Sequence, residues 1–211
     1  FGGCIHHDNG LLGAAAYADA EYRKASLMKE AGYNAVRTSH NPPSATFLDA
    51  CDELGLLVID EAFDGWRDSK NDNDYHLLFD EWAEKDMVNM LRGYRSNPSV
   101  VCWSIGNEIP EQTDPIKGVN WSKKLQDICH QLDPTRPVTQ GLDRVDAAIK
   151  SKVAATMDVV GLNYRTHRYQ YAYDKAPQKF VLGTETGSTV SSRGVYKFPY
   201  KTSNYGIYED G

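Results

Sequence analysis

The strongest constraint on the fold is the alternation, along 211 residues, of short apolar runs with amphipathic stretches. Leu56-Leu57-Val58-Ile59 and Val100-Val101-Cys102-Trp103-Ser104-Ile105 are apolar almost throughout and too short for helices. A strand that is apolar on both faces is buried on both, as in a parallel sheet covered by helices. Gly3 to Ile5, Asn34 to Arg37, Pro137 to Gly141, Val159 to Leu162 and Phe180 to Gly183 read the same way, giving seven strands. Helices fall between them. One is expected from Ala14 to Ala31, closed by Gly32. Ser44 caps a second, whose Phe47, Leu48, Cys51 and Leu54 share one face and which Gly55 ends. A third runs from Tyr75 to Tyr94, with a stripe of Met87, Leu91 and Tyr94 and a stop at Asn97-Pro98. A fourth carries Trp121, Leu125, Ile128 and Leu132 and ends at Asp133-Pro134, and Asp146 to Val153 is a weaker fifth. Ser188 to Gly211 reads as loop without a strand. Repeated β-α units leave a barrel or a doubly wound sheet. No G-x-G-x-x-G or P-loop follows any strand, which counts against a nucleotide site.

Polar residues collect where the strands end. His6-His7-Asp8-Asn9 follow the first, Arg37 to Asn41 the second, Asp60-Glu61 the third and Asn107-Glu108 the fourth. Asn163-Tyr164-Arg165 follow the sixth and Thr184-Glu185-Thr186 the seventh. In a parallel barrel all of these point to the C-terminal face, where such enzymes place their chemistry. Glu108 and Glu185 come directly after Ile105-Gly106-Asn107 and Leu182-Gly183-Thr184. Two carboxylates facing each other are what cleavage of a glycosidic bond requires, one protonated and one ionised. Their repulsion raises the pKa of one and divides the roles. Sequence gives no distance, so an inverting or a retaining pair, or a plain ion pair with Arg37 or Arg165, all remain open at this point. Composition excludes other classes. The net charge of -6 is unsuited to non-specific nucleic-acid binding, and no apolar run approaches the roughly 18 residues of a membrane span. Four cysteines, Cys4, Cys51, Cys102 and Cys129, sit in apolar surroundings and are expected as buried free thiols.

Several linked motifs then carry a resemblance. Arg37-Thr38-Ser39-His40-Asn41-Pro42-Pro43, Leu57-Val58-Ile59-Asp60-Glu61, Arg95-Ser96-Asn97-Pro98-Ser99-Val100 and Trp103-Ser104-Ile105-Gly106-Asn107-Glu108 occur in that order. The chain resembles the catalytic barrel of the family 2 glycoside hydrolases, in particular the bacterial β-galactosidase-like members, from Gly2 to about Pro199. The resemblance implies an α/β fold, a (β/α)8 TIM barrel. It implies a retaining exo-β-glycosidase, β-galactosidase first and β-glucuronidase or β-mannosidase as alternatives. It implies Glu108 as acid/base and Glu185 as nucleophile. It further implies Asn107 on the sugar 2-hydroxyl, Tyr164 on the nucleophile, His6 and His40 on sugar hydroxyls, and Arg37 orienting the nucleophile.

Other readings remain beside it. Glu61 lines the pocket, joins a metal site or supports neighbours; Trp103 reads as core, whereas Trp66, in a loop, is a candidate to stack on a sugar. His76, His130 and His167 read as surface residues. His6, His7, Asp8 and His40 would be the ligands of a metal-dependent hydrolase, but that class favours H-x-H, and these histidines are adjacent. A non-catalytic sugar-binding fragment is the third possibility. No cofactor is required by the pattern; a divalent cation is compatible with it but unsupported. The expected partner is a carbohydrate substrate.

Length sharpens the picture. A (β/α)8 barrel typically takes about 250 residues. Residues 1–211 are expected as a partial catalytic barrel truncated before its eighth strand, without the β-sandwich domains that flank it in the family, open along one seam and weakly active alone. The chain opens at Phe1-Gly2-Gly3 without an initiator Met or a signal region, so periplasmic and cytoplasmic locations are equally open.

Overall fold

The computed structural model of the protein describes residues 1–187, 201–203 and 206–208. Seven strands lie side by side in chain order: β1 (Gly2–His6), β2 (Ala35–Ser39), β3 (Leu57–Glu61), β4 (Val100–Asn107), β5 (Val138–Leu142), β6 (Val160–Asn163) and β7 (Val181–Glu185). Every neighbouring pair is parallel. Helices α1 (Ala18–Glu30), α2 (Ala45–Leu54), α3 (His76–Tyr94), α4 (Lys117–Leu132), α5 (Val145–Ser151) and α6 (Tyr169–Lys175) follow the first six strands in turn. Among the described residues these are seven strands of a (β/α)8 barrel. Among the described residues no strand joins β7 to β1. Across the seam the Cys4 Sγ and the Arg37 guanidinium both donate to the Thr184 carbonyl.

Local chemistry explains most boundaries. The Ser44 hydroxyl accepts from the Phe47 N–H at 3.2 Å, a cap worth about 1 kcal/mol. Gly55 ends α2 at φ 68°, a left-handed position that costs glycine nothing. The strands run further than their apolar runs, because Ser39, Glu61, Asn107, Asn163 and Glu185 stay in the ladders and find partners inside the barrel. α1 starts four residues later than its alanine-rich sequence suggests: Gly13 adopts φ 59° and Tyr17 is extended, so the chain is still turning. α6 carries no apolar stripe and buries only Ala172, so periodicity gave no sign of it. β8 (Lys201–Ser203) and β9 (Gly206–Tyr208) form an antiparallel pair separate from the main sheet, where the sequence suggested loop; the rest of 188–211 lies outside the described residues.

Two apolar layers hold the helices to the sheet. One includes Phe47, Val58, Phe79, Leu91 and Trp103, the other Leu142, Ala148, Val160, Leu162 and Ala172. Trp103 is fully buried, as expected of core, and its indole donates to Asp133 at 3.0 Å. Trp66 is fully buried too, which rules out sugar stacking: the loop after β3 packs onto β4, and the indole donates to the Ile105 carbonyl at 2.7 Å. Cys51, Cys102 and Cys129 are buried and free, but Cys4 is exposed, because it lies on β1 at the open seam. His130 and His167 are exposed, while His76 is half-buried against Asp74 at 2.6 Å. No helix among the described residues is long and apolar enough to cross a membrane.

Candidate active site

The polar strand ends converge at the C-terminal mouth of the barrel. Arg37 on β2 is buried at its centre. Its Nε and Nη2 donate to both oxygens of Glu61 on β3, at 2.7–3.0 Å. Nη2 also donates to Asn107 Oδ1 at 2.8 Å, and Nη1 to Glu185 Oε2 at 3.2 Å. Burial alone would lower the Arg37 pKa, but the Glu61 charge outweighs it and holds the guanidinium firmly protonated. Glu61 also accepts from the Ser104 hydroxyl at 2.6 Å and meets His40 Nδ1 at 2.7 Å. It is a structural anchor with all its oxygens engaged.

Glu185, the last residue of β7, receives three donors: Tyr164 Oη at 2.6 Å on Oε1, and Arg37 and Asn163 on Oε2. Glu108 follows β4 directly. Its pKa is raised, chiefly by burial, with Asp143 and Glu185 adding to the effect and a hydrogen bond from Asn163 opposing it. A half-buried carboxyl with a raised pKa is suited to hold a proton, as a general acid must. Glu108 and Tyr164 adopt φ 44° and 55°, left-handed values uncommon outside glycine. Backbone bonds hold them there, the Glu108 N–H donating to the Gly141 carbonyl at 2.7 Å and the Tyr164 N–H to the Glu185 carbonyl at 2.5 Å. Strain at strand ends of this kind is a recurrent property of functional sites.

Asn163 at the end of β6 ties the pair together. Its Nδ2 lies 2.9 Å from Glu108 Oε1, 3.1 Å from Glu185 Oε2 and 2.8 Å from Asn107 Oδ1. Because one nitrogen reaches both, the two facing carboxylate oxygens are at most about 6 Å apart. Asn107 in turn donates to Asp64 at 3.0 Å. Gly141 on β5 leaves the space for this amide cluster: a Cβ there would stand 2.7 Å from Asn163 Oδ1 and 2.8 Å from Arg37 Nη2.

Arg37, Asn107, Glu108, Tyr164 and Glu185 thus meet in one hydrogen-bonded group. His40 joins it through Glu61, and His6 stands at its edge, its ring 5.4 Å from that of His40 and perpendicular to it. Both histidines border a cavity of about 720 Å³, whose other walls include Asp64, Asp74, Tyr75 and Asp86; neither Glu108 nor Glu185 lines it. Asn163 is the residue that sequence reasoning placed among the polar strand ends without giving it a role. Its signal in the sequence is an amide closing an apolar run, as at Asn107, whose role came from the family resemblance. Among the described residues no group of three or more His, Cys, Asp or Glu side chains is arranged to hold a metal ion.

The family model of the glycosyl hydrolases family 2 TIM barrel domain matches residues 1–210. The chain belongs to glycoside hydrolase family 2. A β-galactosidase of Bacteroides ovatus is 36% identical over 94% of the chain and 27% of its own length. A putative β-glucuronidase of Formosa agariphila is 33% identical over 93% of the chain and 17% of its own. A family 2 structure from Bacteroides cellulosilyticus superposes with a TM-score of 0.83 at 46% identity, covering 88% of the chain and 24% of that structure. The chain therefore spans about a quarter of the Bacteroides ovatus and Bacteroides cellulosilyticus proteins and 17% of the Formosa agariphila one.

Proposed function

We propose that the site hydrolyses terminal β-glycosides with retention, β-galactosides first, Glu108 serving as acid/base and Glu185 as nucleophile. The observation that carries this is Asn163 Nδ2 within hydrogen-bond reach of both carboxylates, which limits their two facing oxygens to about 6 Å apart. Retaining pairs stand roughly 5–5.5 Å apart and inverting pairs about 6.5–9.5 Å, the wider gap admitting a water. Protonated Glu108 gives its proton to the glycosidic oxygen while Glu185 attacks the anomeric carbon. Ionised Glu108 then takes a proton from the water that hydrolyses the glycosyl ester. Arg37 and Tyr164 hold the attacking carboxylate, and an N–H of Asn107 reaches the sugar 2-hydroxyl. His6 and His40 bind other hydroxyls. The reaction needs no cofactor.

The choice of a neutral sugar is supported by the cavity beside His40, where Asp74 and Asp86 supply negative charge and Asp64 is paired with Lys70 at 2.8 Å. Bonds from Lys70 and Asn107 overcome the burial of Asp64 and keep it ionised. A uronate carboxylate beside them would be repelled. In the complete protein, which we expect to add β-sandwich domains to the barrel, p-nitrophenyl β-galactoside should be the preferred member of a galactoside, glucuronide and mannoside panel. Glu185→Ala should abolish turnover, and azide should restore it with inverted product. Preference for the glucuronide would overturn the sugar assignment. Azide rescue with retained configuration would remove Glu185 from the nucleophile role.

A further inference from the structure

The Asn163 amide faces more acceptors than it has protons. Its two N–H groups confront Asn107 Oδ1, Glu108 Oε1 and Glu185 Oε2, all within 3.1 Å. The amide's orientation is not arbitrary. Two of the three oxygens around Nδ2 belong to carboxyl groups, and the third, Asn107 Oδ1, is fixed as an acceptor by Arg37 Nη2 at 2.8 Å. On the opposite side the Thr184 hydroxyl donates to Asn163 Oδ1 at 2.8 Å. Asn163 is fully buried, and Gly141 packs against it without a side chain. The amide is therefore locked in place with one N–H committed to Asn107 and the other shared between the two glutamates.

We infer that Asn163 is a positioning residue whose shared N–H passes from Glu185 to Glu108 as negative charge moves between them during turnover. This rests on the retaining reading of the site. Before glycosylation the charge lies on Glu185, and Glu108 carries the proton. As the new bond from Glu185 to the anomeric carbon forms, the bond to the leaving oxygen breaks and its electron pair takes the Glu108 proton. Glu185 has then lost its charge to the ester, and Glu108 has gained one. A charge-assisted hydrogen bond is about twice as strong as a neutral one, so the shared N–H follows the charge. In the second step water attacks the ester, Glu108 recovers a proton and the N–H returns. In each half-reaction the donor follows the charge, so neither carboxylate carries it without this partner.

The groups facing Glu108 are Glu185 from β7, Asp143 after β5, Lys70 from the loop after β3, and Asn163 from β6. Of these, Asn163 and Lys70 favour the ionised form. Loss of the Asn163 donor therefore makes the Glu108 proton harder to remove. In the complete protein, Asn163→Ala should lower kcat on the order of 10²-fold. The alkaline limb of kcat/KM should move up by roughly half to one pH unit. With an aryl glycoside whose poor leaving group needs the Glu108 proton, rapid-quench kinetics should show both glycosylation and deglycosylation slowed. Thr184→Val, which removes only the hydroxyl that orients the amide, should shift the limb in the same direction by less and guards against misfolding of the first variant. An unmoved limb in both variants, or slowing of one half-reaction alone, overturns the handover while leaving the glycosidase reading in place. A wild-type protein that hydrolyses no β-glycoside overturns the reading itself, and this inference with it.

Discussion

Glu61→Gln is the substitution that most severely tests how the site is held together. Glu61 is fully buried and accepts from Arg37 through Nε and Nη2, from the Ser104 hydroxyl, and lies 2.7 Å from His40 Nδ1. Glutamine keeps the shape but removes the charge and turns an NH2 toward groups that are themselves donors. Among the described residues the Arg37 guanidinium is then left buried with Glu185, 3.2 Å away, as its one carboxylate partner. Breaking a buried ion pair by removing one member costs about 3–5 kcal/mol. At roughly 2–4 °C per kcal/mol for a domain of this size, the melting midpoint of the barrel should fall by about 6–20 °C. The unbalanced guanidinium should also draw Glu185 out of line, and a displacement of about 1 Å costs on the order of 10²-fold in rate. Differential scanning calorimetry and kcat/KM for an aryl β-galactoside read the two effects. Removing the stranded charge as well, in Arg37→Gln with Glu61→Gln, should recover much of the stability and none of the activity. A Glu61→Gln protein that melts within about 2 °C of wild type and keeps its kcat/KM within threefold would refute the reasoning.

Three further outcomes follow from the same geometry. Gly141→Ala puts a methyl 2.7 Å from Asn163 Oδ1 and 2.8 Å from Arg37 Nη2, so activity should fall by at least about 10²-fold with a stability loss of only about 1–3 kcal/mol, read by kinetics and urea unfolding. Glu108 has a folded-state pKa raised above its ordinary 4.5, chiefly by burial, so its contribution is fully favourable below the unfolded value and is lost as pH rises through the folded one. Glu108→Gln should therefore melt higher than wild type at neutral pH, lose that advantage below about pH 4, and be inactive toward poor leaving groups throughout. Trp66→Phe should destabilise the barrel by roughly 1–3 kcal/mol through the lost bond to Ile105 and leave KM unchanged, because Trp66 is core; a large rise in KM would return it to the sugar site.

Much of this was legible in the sequence because barrel strands declare themselves twice, by an apolar run and by the polar residues that end it. Both signals were present at Ile105-Gly106-Asn107-Glu108 and at Leu182-Gly183-Thr184-Glu185, and there the strand, its face and the carboxylate emerged together. Where only one signal existed, the reading failed. α6 has helical backbone but almost no buried face, so periodicity had nothing to register. Alanines 14–16 have high helix propensity, yet Gly13 and the extended Tyr17 keep the chain turning ahead of α1. Trp66 looked like a loop aromatic because sequence cannot say that a loop folds back onto β4. Cys4 looked buried because its neighbours are apolar, whereas its exposure follows from the open seam. Asn163 and Gly141 matter through distances to residues up to 104 positions away in the chain, a relation that only the side-by-side arrangement of strands creates.

The central claim is that Glu185 forms a covalent bond to the sugar. The most direct measurement is mass spectrometry of the complete protein after incubation with an activated 2-deoxy-2-fluoro β-galactoside, followed by peptide mapping. The account predicts one stoichiometric glycosyl adduct on the peptide bearing Glu185, absent from Glu185→Gln. An adduct on a different carboxylate, or turnover with inverted configuration and no adduct, would contradict it.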